Sequence, residues 1–219
     1  MMVAVLRFLG SNCDQDAYHS LRDDLGIDAA YVWQDETSLA GFDAVFIPGG
    51  FSYGDYLRCG AMAARTAVME EVRRFAREGR PVIGVCNGFQ ILTEAGLLPG
   101  ALLLNAGEKF VCRLVELETV SRRFAWTRDV PPVVRIPIAH GEGRYVADAE
   151  THRRLRDEDR IAFRYRGQNP NGSEERIAGI LNETGNVLGM MPHPERATRE
   201  ALGLTDGRYL LNALRLVSV

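Results

Sequence analysis

Pro81-Val82-Ile83-Gly84-Val85-Cys86-Asn87-Gly88-Phe89-Gln90 is an apolar run, a turn held between two glycines, and the start of a second patterned segment. Val82 to Val85 reads as a buried strand and Asn87 to Ala95 as a helix stopped by Gly96. Strand, turn and helix in that order are one step of a parallel α/β sheet. The turn has the form Gly-x-Cys-x-Gly, a nucleophile elbow with cysteine in place of serine. Flanking glycines permit a sharp turn. A thiol at the head of a helix also sits near the positive end of the helix dipole, which favours the reactive thiolate. A buried, unreactive cysteine at a strand–helix junction fits the same ten residues.

The rhythm continues upstream. Val3 to Leu9 is a first strand, followed by a turn at Gly10-Ser11-Asn12 and a helix from Asp14 to Leu25 with Tyr18, Leu21 and Leu25 on one face. Ala29 to Trp33 and Ala44 to Ile47 are further strands, and Ala64, Val68, Val72 and Phe75 mark a helix ending before Gly79. The second half is richer in strands: Phe110 to Leu117, Val133 to Ile138, Ile161 to Tyr165, Ile177 to Leu181 and Val187 to Met191. Asn182 to Asn186 reads as a hairpin turn, and Tyr209 to Val217 as a closing helix. No repeat, low-complexity tract or linker interrupts the 219 residues, so the expectation is a single domain over 1–219.

Composition narrows the partners. Hydrophobic residues make up 46%, enough for a substantial core, and the net charge of −3 offers no basic face to a nucleic acid. Lys109 is the only lysine, an arginine bias from which no function follows. Cys13, Cys59, Cys86 and Cys112 form no CxxC pair and no metal-ligand spacing, which points to a reducing, cytoplasmic setting, no metal and no disulfide framework. Cys13, Cys59 and Cys112 read as buried or incidental thiols. The N-terminal segment has no basic leader and no membrane-length apolar run.

Three other segments carry chemistry. In Met190-Met191-Pro192-His193-Pro194-Glu195, two prolines fix a loop that presents His193 after an apolar strand. In an extended segment Glu195 points the same way as His193, as the orienting third member of a nucleophile–base–orienter triad. Pro48-Gly49-Gly50-Phe51-Ser52-Tyr53-Gly54-Asp55 follows a strand but lacks the Gly-Lys-Ser/Thr ending of a P-loop. It suits an oxyanion hole, or simply a tight turn. Gln90 lies one helical turn beyond Cys86. Ala139-His140-Gly141-Glu142-Gly143 and Gln168 to Ser173 suit the wall of a polar pocket and suit ordinary turns equally. His19 and His152 read as surface residues.

Taken together, Cys86, Gln90, His193 and Glu195 resemble the glutamine amidotransferases of the Cys-His-Glu triad type. Phe51-Ser52-Tyr53-Gly54-Asp55-Tyr56 and Ala139-His140-Gly141-Glu142-Gly143 narrow the resemblance to the family of small glutaminase subunits of phosphoribosylformylglycinamidine synthases, over nearly the whole chain. Cys59 stands where that family more often has a small residue such as alanine. The resemblance implies an α/β, flavodoxin-like three-layer αβα fold with a central mostly parallel sheet and extra antiparallel strands in the second half. It implies hydrolysis of glutamine to glutamate and ammonia through a Cys86 thioester, with His193 as base and acid and Glu195 orienting it. Backbone amides of Gly50 or Phe51, with that of Asn87, would hold the oxyanion, and Gln90 and His140 would grip glutamine. Ammonia would pass to a large synthetase subunit that carries ATP and Mg and converts formylglycinamide ribonucleotide to formylglycinamidine ribonucleotide, with a further small subunit in bacteria-like systems. No cofactor is expected on this chain. Two alternatives stand beside this reading: a stand-alone cysteine peptidase or γ-glutamyl hydrolase on a related fold, and a non-catalytic scaffold subunit.

Overall fold

The computed structural model describes residues 1–217. Eleven strands are described: β1 (Met2–Arg7), β2 (Asp28–Trp33), β3 (Ala44–Ile47), β4 (Val82–Val85), β5 (Ala101–Leu103), β6 (Val111–Thr119), β7 (Val133–His140), β8 (Arg144–Val146), β9 (Ile161–Tyr165), β10 (Ile177–Leu181) and β11 (Val187–Met190). The helices are α1 (Asp14–His19), α2 (Ala67–Arg77), α3 (Asn87–Glu94), α4 (Ala125–Arg128), α5 (Ala149–Asp157), α6 (Gly207–Asn212) and α7 (Leu214–Val217). Nine strands form one sheet in the order β2-β1-β3-β4-β11-β10-β9-β6-β7, and β5 pairs with β8 apart from it.

The sheet has two halves. From β2 to β11 every pairing is parallel, and from β11 to β7 every pairing is antiparallel. The parallel half has the flavodoxin-like strand order, with β11 as its fifth strand. Its inner strands β3, β4 and β11 are buried at every residue, as strands covered on both faces must be. The antiparallel strands extend the same sheet, and β7 ends it. An edge position explains how β7 accommodates Pro137, which has no amide to give a second neighbour.

Helix α2 buries Val68, Met69, Val72, Phe75 and Ala76, while Arg73 and Arg74 pair with Glu70 and Glu71 on its outer side. It stops at Gly79, where φ is +80°. Helix α3 sits closer to the sheet than ordinary side chains allow. A Cβ on Gly88 would lie 2.0 Å from the Ile47 carbonyl oxygen, and one on Gly84 would lie 2.5 Å from Leu92 Cδ1.

Several elements depart from the sequence reading. The helix expected from Asp14 to Leu25 is α-helical only to His19 and then widens into a π-type turn over Ser20–Asp24. The closing helix is two pieces, α6 and α7, and begins at Gly207. Helix α5, capped by the Asp148 carboxylate accepting the Thr151 amide at 2.7 Å, was not anticipated, because its amphipathic signal rests on two buried residues, His152 and Leu155. His152 is therefore not the surface residue expected: it is buried, with Nε2 against Glu174 Oε2 at 2.7 Å. Strands β5 and β8 are three residues each, too short to carry a period.

The close seating of α3 makes a prediction. Helical Gly-to-Ala changes ordinarily stabilise, yet Gly88→Ala should lower stability by about 1–3 kcal/mol through overpacking. Gly107→Ala, where a Cβ meets nothing within 4 Å, should stay within about 0.5 kcal/mol of the parent. Urea midpoints of the two variants measure the difference.

Candidate active site

A cavity of about 310 Å³ opens at the carboxyl ends of the parallel strands, where open α/β sheets place their ligands. Its wall includes Asn12 and Cys13 after β1, Gly50 and Phe51 after β3, Cys86 after β4, His140 at the end of β7 and His193 after β11. The volume suits a small ligand.

Cys86 is the residue between β4 and α3, with φ 52° and ψ −107°. A side chain at positive φ is strained by about 1–3 kcal/mol and persists only where its surroundings over-determine it. Here the Cys86 amide donates to the Met190 carbonyl at 2.8 Å, and the Cys86 carbonyl accepts from Phe89 at 3.0 Å and Gln90 at 3.2 Å. The sheet holds one side of the residue and the helix the other.

His193 and Glu195 are both buried, and His193 Nδ1 lies 2.6 Å from Glu195 Oε1. The pairing expected from the sequence is present, but not by the expected route: Pro194–Arg196 is a 3₁₀ turn, not an extended segment. The His193 amide donates to the Pro137 carbonyl at 2.8 Å, which ties the loop to β7. The imidazole is within reach of the Cys86 and Cys13 thiols, while Nε2 completes no hydrogen bond of good geometry. Burial opposes charge on this ring, but Glu195 and then Cys86 outweigh it and hold the His193 pKa well above its ordinary value. Gly49 lies between these groups: a Cβ there would be 2.8 Å from His193 Cε1, 3.0 Å from Cys13 Sγ and 3.4 Å from Cys86 Cβ.

The remaining candidates divide. The Phe51 amide donates to the Gly10 carbonyl at 3.0 Å, so Phe51 lines the cavity without offering that N–H to a ligand. Gly50, at φ +146°, and Asn87, at the first turn of α3, are the amides that remain for an oxyanion. Gln90 lines the cavity too, but its amide group is engaged. Its Nε2 donates to the Glu142 carbonyl at 2.6 Å, and its Oε1 accepts from Asn87 Nδ2 at 2.9 Å. Asn87 Oδ1 in turn accepts the Ser52 amide at 3.3 Å. Gln90 thus joins the glycine-rich loop to the 140s loop.

His140 is buried, and its Nδ1 donates to Asn105 Oδ1 at 3.1 Å, an assignment that follows from the oxygen being an acceptor. Burial, then the charge of His193, lowers its pKa to about 4, so it is neutral at pH 7. Asn171 supports this loop by donating to the Gly143 carbonyl at 2.7 Å and does not line the cavity.

The sequence reading missed Cys13, Asp55 and Arg196 as cavity residues, while Glu142 lies in the 139–143 segment expected to suit a pocket wall and does line the cavity. Cys13 is buried as expected but stands beside the triad, with Arg196 Nη2 donating to its sulfur at 3.2 Å. Its place at the head of α1, in the loop that follows β1, was the available signal. Cys13, His193 and Glu195 offer ligand atoms within 4.8 Å of one another, the only group among the described residues with metal-ligand proximity. The short His193–Glu195 contact already engages two of its three members.

The profile of the CobB/CobQ-like glutamine amidotransferase domain matches residues 1–203. The chain belongs to that amidotransferase family. A relative from Thermus thermophilus, the phosphoribosylformylglycinamidine synthase subunit PurQ, is 59% identical over the whole of both chains. Among solved structures, a chain of the PurLQS structure from Thermotoga maritima is 44% identical, with a TM-score of 0.89 over 98% of this chain and 97% of that one. The acivicin-bound glutaminase domain of Trypanosoma brucei CTPS shares the amidotransferase fold at 16% identity, with a TM-score of 0.62 over 100% of this chain and 93% of that one.

His140 gives a pH prediction. The unfolded chain holds this imidazole near 6.5, and the folded state binds the proton less readily. The contribution is complete above about pH 6.5 and is lost, to the extent of about 3 kcal/mol, as pH falls toward 4. His140→Gln should flatten the fall in stability between those limits, measured by urea midpoints at several pH values.

Proposed function

We propose that this chain is the glutaminase subunit of a phosphoribosylformylglycinamidine synthase and that Cys86, His193 and Glu195 carry its chemistry. The observation that carries the reading is the buried His193–Glu195 contact of 2.6 Å, with His193 lining the same cavity as a strained cysteine at a strand–helix turn. The Thermus thermophilus relative, named as a subunit of that synthase, supports the assignment of substrate and complex.

In the proposed reaction His193 takes the Cys86 proton, and the Cys86 thiolate attacks the side-chain carboxamide carbon of glutamine. The C–S bond forms and the carbonyl oxygen becomes an oxyanion, held by the amides of Gly50 and Asn87. As the intermediate collapses, the C–N bond breaks and His193 gives its proton to the departing ammonia. Water then adds to the γ-glutamyl thioester, His193 takes a proton from it, and cleavage of the C–S bond releases glutamate. Glu195 holds the ring with Nδ1 toward itself and stabilises the imidazolium. Ammonia passes to a large synthetase subunit, which carries ATP and Mg, with a further small subunit in the complex. The Thermotoga maritima PurLQS match supports a multi-subunit assembly. The cysteine usage supports a cytoplasmic setting. No described helix is long and apolar enough to cross a membrane.

The test is glutamate release from glutamine with and without the synthetase subunit. Cys86→Ala should reduce turnover to background while keeping the fold; full activity in that variant would overturn the triad. Glu195→Gln should cost roughly 10²–10⁴-fold in kcat. His193 must be protonated when ammonia leaves, so activity is present below its raised pKa and lost as pH rises through it. Removing the Glu195 charge should therefore also move the alkaline limb of the kcat profile to lower pH.

A further inference from the structure

A second cavity, of about 650 Å³, lies at the opposite end of the sheet from Cys86. Gly79 comes before β4 and Glu183 before β11. Arg160 is the residue before β9, which runs the same way as β11 because both are antiparallel to β10. The wall therefore gathers at the amino ends of these strands. Leu97, Leu98 and Pro99, which follow α3, give it an apolar side, and the Tyr145 hydroxyl pins that side by donating to the Pro99 carbonyl at 3.0 Å.

Three arginines line this cavity, Arg77, Arg154 and Arg160, with one carboxylate, Glu183. Glu183 is paired with Arg154. Glu158, which does not line the cavity, lies 3.4 Å from Arg154 Nε and 2.9 Å from Arg160 Nε. Three guanidiniums thus share two carboxylates. Arg77 is exposed and has no ion pair among the described residues. Arg160 is only 3% exposed, yet its Nε is sealed from solvent without a hydrogen-bond partner, because Glu158 is close but poorly aligned. A buried cation so incompletely satisfied is costly unless an anion completes it. The helix ends nearby do not supply that partner. The Ala76 and Arg80 carbonyls each accept from Asn186 Nδ2 at 2.8 Å, and the Ala95 carbonyl accepts from Arg73 Nε at 3.3 Å.

We propose that this cavity binds a phosphate monoester, with the phosphate on Arg160 and Arg77 and the organic group against Leu97, Leu98 and Pro99. Guanidinium forks match the terminal oxygens of a phosphate and bind them in pairs. A phosphate monoester offers three such oxygens, enough for both arginines. A carboxylate offers two oxygens and a single charge, which Glu158 already brings to Arg160 without completing its hydrogen bonds. The volume is larger than a free phosphate ion needs and falls in the range of small-molecule sites. The site shares no residue with the triad cavity, so it stands whether or not Cys86 hydrolyses glutamine.

The experiment is isothermal titration calorimetry of the full chain, at fixed ionic strength, with phenyl phosphate, inorganic phosphate and benzoate. The proteins are wild type, Arg160→Gln, Arg77→Gln and, as a control, Arg113→Gln on the exposed side of β6, each checked for a native melting transition. Wild type should bind one phenyl phosphate, about tenfold or more tightly than either inorganic phosphate or benzoate. Arg160→Gln should weaken phenyl phosphate by roughly ten- to a hundredfold, the range of a charge-assisted hydrogen bond. Arg77→Gln, at the exposed side, should weaken it by about three- to tenfold. Arg113→Gln should leave it unchanged. Should Arg160→Gln fail to fold, Arg77→Gln carries the test. Wild type that shows no saturable binding, or cavity variants that keep its full affinity, would overturn the site. An equal loss in Arg113→Gln would overturn it too, by tracing the binding to overall charge. Inorganic phosphate or benzoate bound as tightly as phenyl phosphate would overturn the assignment to a phosphate monoester.

Discussion

The parallel pairing of β4 with β11 is the constraint on which the cavity depends. Val82 opposes Val187, and Val85 opposes Met190. The residue after β4 and the loop after β11 therefore emerge at the same end of the sheet, one as Cys86 and the other as His193. A slip of one residue would turn every side chain of either strand to the opposite face. In the same register Gly84 opposes Gly189, and a Cβ on Gly189 would lie 2.2 Å from Phe89 Cδ2. The two glycines thus form a bare patch of sheet on which α3 rests with Phe89 and Leu92. The helix that carries the elbow is positioned by what those strands lack.

Strain and hydrogen bonding then refine what the register sets. Cys86 keeps its positive φ because its amide is committed to β11 and its carbonyl to α3. The Ser52–Asn87–Gln90–Glu142 chain of hydrogen bonds links the glycine-rich loop, the elbow and the 140s loop into one wall. The two buried histidines are driven in opposite directions by their neighbours. His193 is held protonated by Glu195 and Cys86, while His140, buried and facing the charge of His193, stays neutral. One ring is available for proton transfer and the other acts as a neutral strut through Asn105.

Most of the parallel half was legible in the sequence because its inner strands are short apolar runs, and β3 and β4 have the expected bounds. The elbow was legible for the same reason. Helix α5 was not, since two buried side chains in nine residues leave little periodicity. The roles within the site were harder to read. Nothing local shows that the Phe51 amide is committed to Gly10, that Gln90 is a brace, or that Asp55 and Glu142, far apart in the chain, converge on Cys59. Those contacts depend on which loops the sheet brings together, and only long-range pairing fixes that.

The central claim is that Cys86 forms a covalent γ-glutamyl thioester. Its most direct test is intact-mass and peptide mass spectrometry of the subunit, quenched in acid during glutamine turnover in the presence of its synthetase. The account predicts a γ-glutamyl adduct on the peptide containing Cys86, present in wild type and missing when glutamine is withheld. Undiminished turnover in a Cys86→Ser variant, or an adduct on Cys13 with none on Cys86, would contradict it.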